Sequence, residues 1–388
     1  PSTIEEAYER SLTQSSAPVE EFQQAVDEQP ALKLLGSEVP AATATRLSWS
    51  PPSQSFEGIA SPSPVLVVNG AKPGPTLCLT AAIHGDELNG IEIVRRILYQ
   101  LNPEKLSGAV IGVPIVNLQG FRRGSRYLTD RRDLNRFFPG NKQGSSAARI
   151  AHSIFNQVIS HCDILVDLHT GSFYRENLPQ LRADLHDPEI VKLTHNFGSI
   201  VVVHSAGEPG TLRGAAVAAG IPAVTLEAGG PMRLEKTAVE HGVKSIQTLL
   251  NKMNMVNKIR LWSHPEPVYY GSTWLRVDQG GILFSAVALG DDIKKGHILG
   301  TVTDPVTNVK QKIISRYNGK VIGMAINQFV MPGFAAYHIG IAAQDDGELK
   351  NPEDVTLQEQ KQFEKKAASH QKEMITADND SDGDIERD

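Results

Sequence analysis

The residues that could do chemistry gather first at His84-Gly85-Asp86-Glu87. An imidazole and a carboxylate set in a glycine-containing turn can converge on one cation, and zinc accepts both ligand types at about 2.0–2.2 Å. A polar, solvent-exposed turn would read the same way, so the pair needs company. His169 supplies some, closing the apolar run Asp163-Ile-Leu-Val-Asp167-Leu168, and Glu227 follows Ile221-Pro-Ala-Val-Thr-Leu226. Two histidines and a glutamate with an open fourth position make up the ligand set of a catalytic zinc, whereas a structural site is closed by four protein ligands. Taken singly, His169 reads as a satisfied strand-end histidine, and Glu227 as a capping or salt-bridging residue. At one sheet edge with metal ligands, Glu227 suits a general base that takes a proton from water and returns it to a leaving nitrogen. Asp167, two residues before His169, points to the same side of a strand and could orient the ring. Five arginines lie in the eleven residues from Arg122 to Arg132, with Arg136 just beyond. Guanidinium groups grip carboxylates in a bidentate fork, so this density points to an acidic substrate or product group. Nucleic acid is the competing use of such charge, but aspartates interleave and the net charge is -6.

These groups need elements to hold them. The apolar run 76–83 reads as a buried strand, and the apolar positions of 91–98 recur at helical spacing. His84 and Glu87 therefore sit where a strand has stopped and a helix has not begun, the crevice in which α/β sheets bind ligands. Strands are also predicted at 65–68, 109–116, 163–169, 200–203 and 221–230, and helices at 146–160, 187–196, 210–220 and 235–256. This alternation defines an α/β fold with a mostly parallel mixed sheet flanked by helices. The polar stretch 117–144 is long for a loop, and Tyr127, Leu134, Phe137 and Phe138 argue that it is ordered. From residue 258 short β-like pieces are punctuated by glycine, which predicts a small all-β barrel or sandwich. The predicted domains are an N-terminal extension at 1–60, a catalytic domain at 61–257, the β domain at 258–345 and a charged tail at 346–388. Helical patches are expected around 3–13 and 18–34. The tail cannot bury enough apolar surface to order. Its stretch 378–384 lacks the closing glutamate and flanking helices of a calcium loop.

Bulk properties narrow the classes. A chain of 388 residues has room for two domains and a large core. The charge balance gives no basic footprint for nucleic acid. No apolar run is long enough to span a membrane, and the polar N-terminus lacks the pattern of a secretory signal. Cys78 and Cys162 lie in apolar runs and read as buried thiols of a reduced protein. A cytoplasmic setting is the expectation.

Together the quoted residues resemble the succinylglutamate desuccinylase/aspartoacylase family, a deacylase branch of the M14 zinc carboxypeptidase superfamily. The resemblance spans residues 63–256 and rests on four elements in order. These are His84-Gly-Asp-Glu87, then Arg126-Tyr127 leading to Asp133-Leu-Asn135-Arg136-Phe-Phe-Pro-Gly140, then Asp167-Leu-His169-Thr, then Thr225-Leu-Glu227-Ala-Gly. It implies a zinc carboxypeptidase-like fold in which His84, Glu87 and His169 hold one zinc ion per chain. It further implies that Glu227 is the general base and acid, that Arg126 polarises the scissile carbonyl, and that Asn135 and Arg136 bind the substrate's α-carboxylate. The C-terminal β region resembles the small carrier-like barrel of larger family members. Its Asp291-Asp292-Ile-Lys-Lys-Gly296 turn lacks the carrier lysine motif, so the barrel reads as a substrate-entrance wall or a homo-oligomer contact. Segments 128–132 and 171–182 follow neither the N-acetylaspartate nor the succinylglutamate enzymes, which leaves the acyl group open. The expected activity is hydrolysis of a linear amide in an N-acyl amino acid or a small acidic amide. A metallocarboxypeptidase releasing a C-terminal residue from a small peptide is the first alternative. A non-catalytic zinc-binding regulator is the second, and it would require a missing ligand or a missing Glu227.

Overall fold

A computed structural model describes residues 29–52, 61–256 and 266–342. The expected helical patch at 3–13, most of that at 18–34, and the tail from 346 lie outside the described residues. The last part of the second patch is a strand rather than a helix. β1 (Leu32–Leu34) and β2 (Ser37–Val39) form a hairpin whose loop, Leu35-Gly36, has φ of 52° and 74°. Two positive-φ residues give a turn whose twist matches the paired strands.

The chain then runs β3 (Thr43–Trp49), β4 (Ser63–Asn69), β5 (Lys72–Ala81), α1 (Asn89–Gln100), β6 (Ser107–Val113), α2 (Leu118–Arg122) and α3 (Ser146–Gln157). It continues through β7 (Ile164–His169), β8 (Arg175–Ala183), α4 (Pro188–Thr194), β9 (Val201–His204), α5 (Leu212–Ala218), β10 (Ala223–Gly229) and α6 (Lys236–Lys252). Strands β6, β5, β7 and β10 are consecutive parallel neighbours. Their near-continuous apolar content is what burial on both faces requires. On one face α1 and α6 bury Ile93, Val94, Ile97, Ile246 and Leu249; on the other α3 and α5 bury Ile150, Ile154, Leu212 and Ala216. Each valine, leucine and isoleucine among them contributes about 1.5–3 kcal/mol by leaving water, which fixes both helical layers against the sheet. Among the described residues no helix is long and apolar enough to cross a membrane.

One expectation is overturned. Cys78 on β5 and Cys162 just before β7 are joined in a disulfide, with Cα atoms 5.7 Å apart and a separation of 84 positions in sequence. Apolar periodicity reveals that each cysteine is buried but carries no information about which strand lies opposite.

The run 175–183 gives no strand signal, since it is polar and holds Pro179, yet it forms β8. Antiparallel pairing with β10 on one side, and with a C-terminal strand on the other, imposes the extended form. The C-terminal region comprises β11 (Val268–Tyr269), β12 (Ser272–Arg276), β13 (Gly281–Ser285), β14 (Asp292–Ile293), β15 (Ile298–Thr303), β16 (Lys310–Ile314), β17 (Gly319–Ala325), β18 (Gln328–Val330) and β19 (Ala335–Ile341). A four-stranded sheet, β16-β15-β13-β18, packs over the β12-β19-β17 end of the main sheet, enclosing Leu283, Leu299, Val321 and Ile339. Because β17 pairs with β8, one sheet runs from β3 through the α/β core into this sandwich. At the seam the Arg175 guanidinium lies 4.4 Å from the Phe334 ring centre and 5.2 Å from that of Trp274. Trp274 in turn stacks on His338 at 4.6 Å.

Two outcomes are expected from this arrangement. Removing the cross-link by reduction, or by Cys78→Ala with Cys162→Ala, should cost about 2–4 kcal/mol in a denaturant titration; an unchanged midpoint would mean the bond does not form in solution. Burial, helped by the Arg182 charge, pushes the His338 imidazole down from 6.5 to about 3. Its folded pKa lies below its unfolded one, so its contribution is complete above 6.5 and is lost as pH falls towards 3. Between neutral pH and about pH 4.5 the melting temperature should fall further for the wild type than for His338→Gln. Equal falls would remove His338 from the acid response.

Candidate active site

The carboxyl ends of β5, β7 and β10 lie side by side. Thr80 pairs with Asp167, and His169 with Glu227. The chain leaving β5 turns through His84-Gly85-Asp86-Glu87 against the backbone of α2. A Cβ on Gly85 would stand 2.0 Å from the Gly120 carbonyl carbon and 2.1 Å from the Phe121 nitrogen, so only glycine lets the turn seat there. Asn89, at the start of α1, donates to the Ala228 carbonyl at 2.9 Å and accepts from the Glu235 amide at 2.9 Å. That side chain ties the turn bearing His84 and Glu87 to the strand bearing Glu227.

The metal-type groups meet as the spacing predicts. Nδ1 of His84 lies 2.8 Å from Oε1 of Glu87, and Nδ1 of His169 lies 2.8 Å from Oε2 of the same carboxylate. The three residues offer ligand atoms that all lie within 4.8 Å of one another. Each ring presents its Nε2 to an outer carboxylate: His84 to Asp133 at 3.1 Å and His169 to Asp167 at 2.8 Å. Thr80 Oγ1 donates to the other oxygen of Asp167 at 2.7 Å. Two imidazoles and a carboxylate that converge while outer carboxylates set both rings fit a zinc ion. Burial would raise the Glu87 carboxyl, but the adjoining imidazoles override it and hold the group well below the usual carboxylate range. Burial would likewise lower the His169 imidazole, and Asp167 and Glu87 instead raise it well above its ordinary value.

The remaining residues line one cavity of about 310 Å³, together with His84, Glu87 and His169. Glu227 is buried; Asn177 donates to its Oε2 at 3.0 Å, and Arg182 Nε stands 3.5 Å from Oε1. Arg126 bridges Asp133 at 2.9 Å and Glu87 at 3.3 Å, under the Phe173 ring. Asn135 accepts the Leu212 amide at 2.8 Å, which fixes the orientation of its carboxamide. Arg136 stands beside it, its carbonyl packed against Gly210, where φ is 81° and a Cβ would lie 2.3 Å from that oxygen.

Two points differ from the sequence reading. Of the arginine cluster only Arg126 and Arg136 line the cavity. Arg122 bonds Ser61, Arg123 bonds backbone carbonyls, and Arg132 faces Asp130. Two arginines from elsewhere, Arg182 on β8 and Arg213 on α5, complete the lining. Arg213 is buried and donates to the Ser205 carbonyl at 2.7 Å and its hydroxyl at 3.0 Å, with no ion pair among the described residues. Burial, with the neighbouring Arg182 charge, pushes it down to about 10. The available signal for Arg213 was a single charge inside an alanine-rich helix. For Asp133 it was an acid one step before Leu134-Asn135-Arg136. For Asn177 and Arg182 there was none, because their strand gave none.

Comparison with known proteins defines the class. Residues 73–253 match the model of the succinylglutamate desuccinylase/aspartoacylase catalytic domain. One relative is an N-alpha-acetyl-L-2,4-diaminobutyric acid deacetylase of Halomonas elongata, 27% identical over 254 residues, which are 62% of this chain and 74% of that one. Another is a succinylglutamate desuccinylase of Pseudomonas aeruginosa, 31% identical over 140 residues, 34% of this chain and only 39% of that protein. Among solved structures, a succinylglutamate desuccinylase/aspartoacylase from Rhodobacter sphaeroides superposes with a TM-score of 0.68 at 24% identity, covering 79% of this chain and 99% of that one. The product-bound ectoine utilization protein of Ruegeria pomeroyi does so with 0.70 at 22%, covering 78% and 98%. These likenesses bear out the expected family and the mixed α/β fold with an antiparallel C-terminal region.

The outer carboxylates generate a prediction. Asp133→Asn and Asp167→Asn should each weaken zinc binding about 10–100-fold, measured by competition with a chromogenic chelator. Unchanged affinity in both would mean that other contacts orient the rings.

Proposed function

We propose that the chain is a zinc-dependent deacylase that hydrolyses the amide bond of a small N-acyl amino acid. One observation carries the reading: His84, Glu87 and His169 converge on the wall of the same small cavity that Glu227 and four arginines line. A volume of about 310 Å³ is at the small end for ligand sites, which span about 300–1,000 Å³. It suits an acylated amino acid better than a peptide, and so weighs against the carboxypeptidase alternative. Both curated relatives named above carry names of enzymes acting on N-acyl amino acids.

In this reading His84, Glu87 and His169 hold one zinc ion. When bound, zinc supplies Lewis-acid chemistry, polarising the amide carbonyl and making water easier to deprotonate. Glu227 takes a proton from the attacking water and passes it to the leaving nitrogen. Asn177 holds one carboxylate oxygen of Glu227 at 3.0 Å and so presents the other. Arg126 turns its guanidinium to the oxygen on which negative charge develops. Asn135 and Arg136 take the α-carboxylate, Arg136 through a planar fork that selects carboxylates. Arg182 and Arg213 lie at the Glu227 side of the cavity and favour an additional anionic or carbonyl group there. Arg213 has its hydrogen bonds to Ser205 as support and no close ion pair among the described residues.

Two further assignments stand beside this one. The division at residues 60, 257 and 345 is retained as an organisational proposal, with the C-terminal sandwich as an entrance wall or homo-oligomer contact. The cytoplasmic setting meets an opposing observation in the Cys78–Cys162 bond, since disulfides persist in oxidising compartments and are rare in the cytosol. We favour an oxidising compartment.

The test is turnover of N-acetyl and N-succinyl amino acids beside small peptides, in wild type and two variants. Glu227→Gln should leave zinc content intact and lower kcat about 10²–10⁴-fold; retained turnover would remove Glu227 from the mechanism. Arg136→Ala should chiefly raise KM for carboxylate-bearing substrates, and an unchanged KM would reject its assignment. Activity on peptides alone would overturn the deacylase reading.

A further inference from the structure

A second group of metal-binding side chains lies outside the cavity just described. Strands β8 and β9 are parallel, with Ala183 in register beside His204. The chain leaving β8 therefore carries Asp184 and His186 past the end of β9. Asp184 Oδ1 stands 3.2 Å from Nδ1 of His186 and 3.9 Å from Nδ1 of His204. The two imidazoles meet edge to face with centroids 4.5 Å apart. One ligand atom from each of the three residues falls within 4.8 Å of the others. From these positions we infer that Asp184, His186 and His204 form a second divalent-cation site, separate from the one at His84.

The donor set indicates the kind of ion. Two imidazole nitrogens and one carboxylate oxygen suit zinc and the neighbouring late first-row ions, whereas calcium and magnesium favour all-oxygen shells. Access is direct: the side chain of His186 is 43% exposed, Asp184 25% and His204 17%. Water can fill the remaining coordination positions without any part of the fold opening. A local hydrogen bond already holds the carboxylate in place, and another engages one ring nitrogen. The His186 amide donates to Asp184 at 3.1 Å, and the Leu185 amide donates to Nδ1 of His204 at 3.1 Å. A cation on that nitrogen has to break this hydrogen bond, so this site binds more weakly than the buried one.

Its position gives it a consequence. Arg182 precedes Asp184 by two residues, and Ser205, which carries both hydrogen bonds from Arg213, follows His204 directly. A cation here clamps the ends of β8 and β9 together and steadies the wall of the cavity that holds both arginines. It does not depend on the deacylase reading.

The experiment is zinc titration of chelator-stripped full-length protein by calorimetry, with equilibrium dialysis as a check on stoichiometry. Wild type should bind about two equivalents, the second at least about tenfold more weakly. His84→Ala with His169→Ala should keep the weaker site, and adding His186→Ala should abolish it. His186→Ala alone, at an exposed position, should retain the tight site and lose the weak one. Loss of all binding in His84→Ala/His169→Ala would overturn the proposal, as would a weak site that survives His186→Ala. A failure of the catalytic-site reading has a different signature: His186→Ala would then leave no tight site.

Discussion

Carboxylates and imidazoles alternate through the centre of this molecule, and the rest of the fold serves that alternation. From Arg126 the contacts run to Asp133, His84, Glu87, His169, Asp167 and Thr80, each between 2.7 and 3.1 Å. A buried ionised group without a partner costs several kcal/mol or more, and here every buried charge touches an opposite or hydrogen-bonding one. No single element could assemble the series. It needs the ends of β5 and β7, the turn between β5 and α1, and the ordered stretch that follows β6. The parallel sheet supplies strand ends in one plane, and the two helical layers hold that plane rigid.

The cavity beside this series balances its own charges. Arg126, Arg136, Arg182 and Arg213 share its lining with the carboxylates of Glu87, Asp167, Glu208 and Glu227. Arg126 sits at the junction of the two systems, bonded to the ligand series on one side and open to the cavity on the other.

Much of this was legible in the sequence. His84, Glu87, His169 and Glu227 stand at the ends of apolar runs, and period alone places such ends together in a parallel sheet. Arg126, Asn135 and Arg136 came through resemblance, because a long irregular segment has no period from which to read its path. Arg182 and Asn177 were invisible because β8 is a strand by virtue of its neighbours and not of its own residues. The disulfide was missed for a related reason: β5 and β7 are 84 residues apart at the two cysteines, and adjacency across a sheet is a tertiary fact. The arginine cluster misled in the opposite direction, since density of a residue type says nothing about which side chains turn inward.

The dual membership of β8 bears on how such a chain can diversify. One edge of this strand pairs with β10 and sets Asn177 and Arg182 beside Glu227, while its other edge pairs with β17 of the C-terminal sandwich. A lineage that exchanged the sandwich for another module would also have to rebuild the frame around Glu227. The lining beside Glu227 and the C-terminal architecture are therefore bound to change together, and loops remote from β8 are freer to vary.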